Sequence, residues 1–206
     1  MFRFIETIRV EDSQIFLPDL HQERMDRVFF HYGKENPYLL KEYFLQQNHD
    51  EHGLYKWRIV YDLNGGIHCQ MIPYAVEIHN NFELVNGNHL EYSFKYENRD
   101  EINKLKASAD AEAVIFYQNG MITDTSYSNL IFRKDNEWYT PETFLLNGVM
   151  RQHLLKSGKI KTLEIGLKNI KEFSHFQMIN AMIPFNTQEY PIALIQNLFS
   201  IKTLEI

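Results

Sequence analysis

Apolar and polar residues alternate through the opening stretch FRFIETIRV, which predicts a first strand, and the polar EDSQ after it predicts a turn. The period then changes. In LPDLHQERMDRVFFHYG, Leu20, Met25, Val28 and Phe29 share one broad helical face, and Pro18 and Asp19 suit a first turn. NPYLLKEYFLQQN predicts a second helix, begun by Asn36 and Pro37. Two β-rich runs joined around Asn64, Gly65 and Gly66 make GLYKWRIVYDLNGGIHCQMIPYAVEI a hairpin. Periodicity weakens in NNFELVNGNHLEY, residues 80–92, so the connection between two domains is expected there or just before it.

Helical spacing resumes in NRDEINKLKASAD, with Asn98 as the expected cap and Asp100 and Glu101 in a first turn that favours acids. AEAVIFYQNGM predicts a strand entering a tight turn at Asn119 and Gly120, and LIFRKDNEWYTP predicts another strand with its own polar turn. Between them, ITDTSYSNLIF sets Asp124, Thr125, Ser126, Ser128 and Asn129 into an otherwise apolar segment. Polar groups gathered where two strands meet either close a turn or hold a ligand. Farther on, LLNGVMRQHLLKSGKI places Gly148 at the head of a short helix ending at Lys156, before Ser157 and Gly158. The hexamer IKTLEI occurs at 160–165 and again at 201–206, too short a repeat for a solenoid. The fold class expected is α+β in two domains, a smaller one over 1–74 and a larger one over 75–206.

Composition narrows the function classes. With 206 residues, 44% hydrophobic and 23% charged, the chain can bury a real core. A net charge of -6 and the lack of any basic run exclude a nucleic-acid backbone as partner. Cys69 is the single cysteine, so neither an internal disulfide nor a Cys-based metal cage is expected. Nine histidines, His49 and His52 among them, are scattered without ligand spacing, so no metal is expected. Acids interrupt the opening stretch where a secretory signal needs an apolar run, and no later segment reaches membrane-spanning length. A cytoplasmic protein is the expectation.

Several common chemistries lack their residues. No Gly-x-Ser-x-Gly elbow, Walker loop or GxGxxG is present. Lys95 stands apart because it lies between Phe94 and Tyr96 in LEYSFKYENR. Burial among aromatics depresses a lysine pKa, and a neutral amine is what an aldehyde cofactor needs, whereas a lysine at a strand edge simply extends its charge to water. Arg24 alone reads equally as a partner of Glu23 or Asp26 on a helix surface, and Ser128 and Asn129 as turn-closing residues.

Four motifs in order, HQERMDR, FKYENRDE, GMITDTSYSNLIF and YTPETFLLNGVMRQHLL, resemble the class IV aminotransferase family of pyridoxal 5'-phosphate (PLP) enzymes. That family includes branched-chain and D-amino-acid aminotransferases and 4-amino-4-deoxychorismate lyase. The resemblance runs from about Phe2 to Ile195. It implies a D-amino-acid aminotransferase-like fold with the C-terminal domain binding PLP, the cofactor in the interdomain cleft, and a homodimer. It also implies that Lys95 carries the PLP aldehyde, that Asp124 stands where the family has a Glu against the ring nitrogen, and that Arg24 binds the phosphate. Ser128 and Asn129 match the SN of the cofactor strand, and Gly148, Val149 and Met150 the phosphate-binding helix start, Met150 standing where many relatives have Thr. Glu6 and Arg58 are expected near an amino-acid-like substrate, Arg58 at its carboxylate. The FIETIRV stretch favours a lyase releasing pyruvate and 4-aminobenzoate. The alternatives are an aminotransferase for branched-chain or D-amino acids and a PLP-binding protein without catalysis.

Overall fold

Strand pairing begins where the alternation is cleanest. In the computed structural model, which describes residues 2–48 and 52–201, β1 (Arg3–Glu11) pairs with β2 (Gln14–Ile15) and, along its full length, with β3 (Leu54–Asp62). Adding β4 (Ile67–Pro73) completes an antiparallel sheet of order β2-β1-β3-β4. Asp12 and Ser13, with φ of 47° and 63°, form the two-residue hairpin turn expected at EDSQ. One face of this sheet is covered by α1 (Pro18–His31), whose Met25, Val28 and Phe29 join Phe4, Ile8, Trp57, Ile59 and Tyr61 in a buried cluster. His49 and all but Ile201 of the second IKTLEI lie outside the described residues.

The second helix is shorter than its pattern predicts. Only α2 (Leu40–Leu45) is helical, because Asn36 Oδ1 accepts the Tyr38 N–H, Leu39 is extended, and Gln22 Oε1 takes the Leu40 N–H. Segment 80–92, expected as a connection, contains strand β5 (Phe82–Asn86). Its inward Phe82 and Leu84 are flanked by turn-forming asparagines, which hid the strand in the sequence. The helix after Lys95, α3 (Asp100–Ala107), has Arg99 rather than Asn98 at its cap position.

Two compact units result. The first comprises the residues up to Val76 together with Phe94–Asn98, and the second Glu77–Ser93 together with everything from Arg99 onward. Phe94–Asn98, expected with the C-terminal domain, belongs instead to the first unit. The Ile5 N–H donates to Lys95 O and the Glu97 N–H to Arg3 O, while Phe94 and Tyr96 pack against Phe4. This segment therefore lies along β1, opposite β3.

In the second unit, β5 runs parallel to β6 (Ala113–Gln118), which pairs antiparallel with β7 (Met121–Thr125). Asn119 and Gly120, with φ of 50° and 77°, make the predicted tight turn between β6 and β7. A five-stranded sheet follows, of order β10-β9-β8-β11-β12, from β8 (Asn129–Lys134), β9 (Glu137–Pro141), β10 (Lys161–Leu163), β11 (His175–Ile179) and β12 (Tyr190–Pro191). Phe82, Ile115, Ile122, Leu130, Phe132 and Phe176 form its buried cluster. Helix α4 (Val149–Lys156) starts at Gly148, as its motif predicts. Among the described residues no helix is long and apolar enough to cross a membrane.

Candidate active site

In the first unit, Arg24 is not on a helix surface. It is buried on α1, where Nε donates to Glu6 Oε1 at 2.7 Å and Nη2 to Glu6 Oε2 at 2.5 Å. The expected alternatives, Glu23 and Asp26, lie elsewhere on the helix. Glu6, on β1, is fully buried, and its Oε2 also meets His21 Nδ1 at 2.6 Å. Burial alone would raise the Glu6 pKa, but the Arg24 charge and the bonds from Arg24 and His21 hold it down at about 2. With Glu6 ionised, the His21 nitrogen facing it carries the proton. Burial lowers the His21 pKa below its ordinary value in spite of the Glu6 bond, so the ring is neutral and Nε2 bears a lone pair. That Nε2 is buried without a hydrogen-bond partner among the described residues.

His21 was missed by the sequence reading. Its signal was its spacing from Arg24, which at i,i+3 sets both side chains on one helix face, over the strand that carries Glu6. Lys95 is half-buried beside β1, bonded through its backbone to Ile5, the neighbour of Glu6. Arg58, on β3, is also half-buried and donates from Nη2 to Glu97 Oε1 at 3.0 Å, while Glu97 Oε2 meets Arg3. Glu6, expected toward substrate, thus has both oxygens engaged inside the unit.

In the second unit, Asp124 ends up buried near the end of β7. Its Oδ2 accepts the N–H groups of Leu145 and Leu146 at 3.0 and 2.8 Å, and its Oδ1 accepts Asn129 Nδ2 at 2.8 Å. Burial pushes its pKa up to about 7, outweighing the bonds from Leu146, Asn129 and Leu145. Among the described residues no cation bonds to it, although the charge of Arg151 also works to lower its pKa. A carboxylate offers about four lone-pair sites, so with three donors in place Oδ1 has capacity for one more.

Asn129 ties this acid to the start of α4. Its second amide hydrogen goes to Leu146 O at 2.8 Å, and its Oδ1 lies so close to Gly148 that a Cβ there would fall 2.1 Å away. Only glycine fits. The first bond back along α4 runs from the Gln152 N–H to Gly148 O, so the earlier first-turn N–H groups have no acceptor within the helix. Val149 and Met150, both buried, form that turn. Arg151 braces the loop ahead of it, donating to Thr140 Oγ1, Pro141 O and Asn147 Oδ1.

Ser128 closes the β7–β8 turn. Its N–H donates to Thr125 Oγ1 at 2.9 Å, its carbonyl accepts the Thr125 N–H at 2.8 Å, and its Oγ accepts Asn180 Nδ2 at 2.9 Å. Arg99 Nη2 donates to Ser126 O in the same turn. In the ITDTSYSN stretch, Thr125 and Ser128 therefore shape the turn, while Asp124 and Asn129 face the loop before α4. Among the described residues no three His, Cys, Asp or Glu side chains gather as a metal-ligand set.

The profile of the class IV amino-transferase family matches residues 72–186, more than half of the chain. An uncharacterized protein of Haemophilus influenzae is 36% identical over 186 residues, covering 88% of this chain and 98% of that one. A crystal structure from Haemophilus somnus, named as a provisional 4-amino-4-deoxychorismate lyase, superposes with a TM-score of 0.84 at 29% identity, over 90% of this chain and 98% of that one. A provisional amino-acid aminotransferase from Mesorhizobium loti shares the fold, with a TM-score of 0.76 at 20% identity over 88% of this chain and 96% of that one. With that profile match and that relative, the chain belongs to the class IV aminotransferase family, whose members are PLP-dependent enzymes.

Proposed function

We propose that this chain binds PLP and acts as a lyase of the 4-amino-4-deoxychorismate type, eliminating pyruvate to give 4-aminobenzoate. The observation that carries the cofactor assignment is Asp124. It is a buried carboxylate held only by neutral donors, with capacity for one more, and Asn129 joins it to the glycine-led start of α4. A protonated ring nitrogen supplies the missing cationic donor, and a dianionic phosphate suits first-turn N–H groups together with a guanidinium. Arg24 offers that guanidinium, as the resemblance implies. Lys95 offers the amine for the aldehyde.

When bound, PLP supplies an electron sink for the carbanion formed at the carbon bearing the substrate amine. The chain's own residues do the rest. Asp124 would supply the counter-charge for the ring nitrogen, the α4 start would offer N–H groups to the phosphate, and Arg24 is the guanidinium that the resemblance assigns to it. Lys95 would be the group that takes the proton from that carbon and returns it. Arg58 is the candidate for a substrate carboxylate, and Ser128 keeps the turn between Asp124 and Asn129 in shape. The lyase assignment within the family is supported by the likeness to the Haemophilus somnus protein.

The cofactor assignment is tested by reducing the PLP-loaded protein with borohydride and mapping the modified peptide. Label on Lys95 is expected, and label on Lys104 or Lys106, or on no lysine, would overturn the assignment. Incubation with 4-amino-4-deoxychorismate should then release pyruvate. Transfer of the amino group from branched-chain or D-amino acids without pyruvate release would favour an aminotransferase. The same reading includes a homodimer, which light scattering tests directly.

A further inference from the structure

We infer that Lys56 and Arg58, two residues apart on β3, each take one carboxylate of a substrate that carries two. The identity of that substrate rests on the lyase reading proposed above. Alternation along β1 buries Glu6, Ile8 and Val10 on the side of α1 and leaves Thr7, Arg9 and Glu11 half-exposed on the far face. On β3, Trp57, Ile59 and Tyr61 are buried with α1, so Lys56 and Arg58 lie on that far face too. Thr7 stands directly opposite Arg58, and Arg9 opposite Lys56. Two residues of strand set the two cations roughly 6.5 Å apart along β3. Ile5, one row beyond Thr7, donates its N–H to Lys95 O, so the residue proposed to meet the aldehyde borders the same face.

The charges on these rows do not cancel. Glu11 is taken by Arg9 Nη2 at 2.8 Å, and Glu97 divides its oxygens between Arg58 at 3.0 Å and Arg3 at 2.6 Å. Lys56 is half-buried with no acidic partner among the described residues, its Nζ lying 5.6 Å from the centre of the Tyr74 ring. Arg58 engages only Nη2, which leaves Nε and Nη1 uncommitted. Like charges directly opposite on neighbouring strands destabilise a sheet, and Arg9 with Lys56 is such a pair. Stability therefore gains nothing from the Lys56 charge, and an anion drawn to this face does. 4-Amino-4-deoxychorismate carries one carboxylate on its ring and a second on the arm lost as pyruvate, whereas a branched-chain amino acid carries one. Arg58 alone would serve either. A second unpaired cation beside it favours the dianion, because attraction between charges is stronger at a half-buried surface than in open water.

The test uses chorismate, which has the same two carboxylates with a hydroxyl in place of the amine and so lacks the group that reacts with the aldehyde. Calorimetric titration of the PLP-loaded parent should show binding. Lys56→Gln and Arg58→Gln should each weaken it about tenfold, the worth of one charge-assisted hydrogen bond, and the double variant should bind more weakly than either. In Lys56→Gln the affinity for PLP should stay within about twofold of the parent. Its urea midpoint should equal or exceed the parent's, since the charge opposed to Arg9 is gone, whereas loss of a structural residue would lower it. Lys41→Gln, on α2, removes one positive charge elsewhere and should leave chorismate affinity unchanged. If Lys56→Gln does not fold, Lys56→Met, which keeps the apolar stem beside Tyr74, is read in the same way.

Chorismate affinity unchanged in Lys56→Gln, in a parent that releases pyruvate from 4-amino-4-deoxychorismate, overturns the two-carboxylate site and leaves the lyase reading standing. Equal weakening by Lys41→Gln overturns it as well, by reducing the effect to overall charge. Should pyruvate be released while chorismate binding lies below detection, the KM for 4-amino-4-deoxychorismate takes its place, with about a tenfold rise expected in Lys56→Gln at unchanged kcat. Chorismate binding that Lys56→Gln weakens, in a protein that releases no pyruvate, would keep the site and end the lyase reading. A parent that neither binds chorismate nor releases pyruvate ends both.

Discussion

Among the described residues two carboxylates are buried, one in each unit, and they are held in opposite ways. Glu6 has a resident cation and sits at about 2, whereas Asp124 has only amide donors and sits at about 7. Both are desolvated, so burial is not what separates them. The difference is the charge of the partner. An acid paired within the fold is electrostatically complete and suited to hold another residue still. An acid left with neutral donors keeps much of its desolvation cost, and the ring nitrogen proposed for it would lower that cost.

The largest expected effect comes from making the first acid resemble the second. Arg24→Ala strips Glu6 of its cation and should destabilise the fold by about 3–5 kcal/mol, the usual cost of leaving a buried charge unpaired, measured by urea denaturation at neutral pH. A loss below about 1 kcal/mol would return Arg24 to the surface ion pair that the sequence alone allowed.

Asp124→Asn removes the negative charge while keeping the shape, so turn contacts and the Lys95 linkage should survive. Exchange of the proton on the carbon bearing the substrate amine should slow about a hundredfold, roughly 3 kcal/mol in the barrier. Single-turnover exchange at saturating PLP measures this, and an unchanged rate would make Asp124 a turn residue. Asp124→Glu, which restores the usual family residue, should retain exchange.

The sharpest contrast between the two acids is in pH. The folded pKa of Asp124 is raised, so its protonated form contributes stability at low pH, and that contribution is lost as pH rises from the ordinary carboxylate range through about 7. For Glu6 the pKa is lowered, and its contribution is present above the ordinary range and lost only as pH falls through about 2. The Asp124 contribution, read as the stability of the cofactor-free parent minus that of Asp124→Asn, should therefore fall on the order of 2–3 kcal/mol between about pH 5 and pH 8, while His21 and His79, whose pKa values burial lowers, act in the opposite direction in both proteins. Bound PLP should reduce that fall. A parent-minus-Asn difference that does not change with pH would show that Asp124 is not protonated at neutral pH.

Gly148→Ala should produce the smallest change. Its Cβ would push Asn129 aside and cost about 1–2 kcal/mol, with the pH midpoint of the Asp124 transition moving up as one donor is lost. Loss of stability without movement of the midpoint would separate the glycine from the acid.

Much of this protein was legible from local pattern. Alternation gave β1 and the β3–β4 hairpin, the 3.6-residue period gave α1, and Asn119-Gly120 and Gly148 gave a turn and a helix start, because each depends on residues adjacent in the chain. Order and spacing of the motifs sufficed for the family. The second helix was overestimated because its first turn is taken up by contacts from Asn36 and Gln22, the latter on another helix. Strand β5 was hidden because its short alternation, with Phe82 and Leu84 inward, is flanked by turn-forming asparagines and its parallel partner β6 lies far along the chain.

The state of each candidate group was decided only in three dimensions. Sequence named Arg24, Glu6, Asp124 and Asn129, but spacing alone offered Arg24 only its helix neighbours, the resemblance set it at a phosphate, and neither reading gave it Glu6, which was expected near a substrate. The partners that fix them lie far along the chain, 18 positions away for Glu6 and Arg24, and 21 and 22 for Asp124 with Leu145 and Leu146. Residue type determines which charges a site contains. Whether a charge is paired, desolvated or left waiting for a ligand depends on what the fold brings within 3 Å of it, and no local pattern carries that distance.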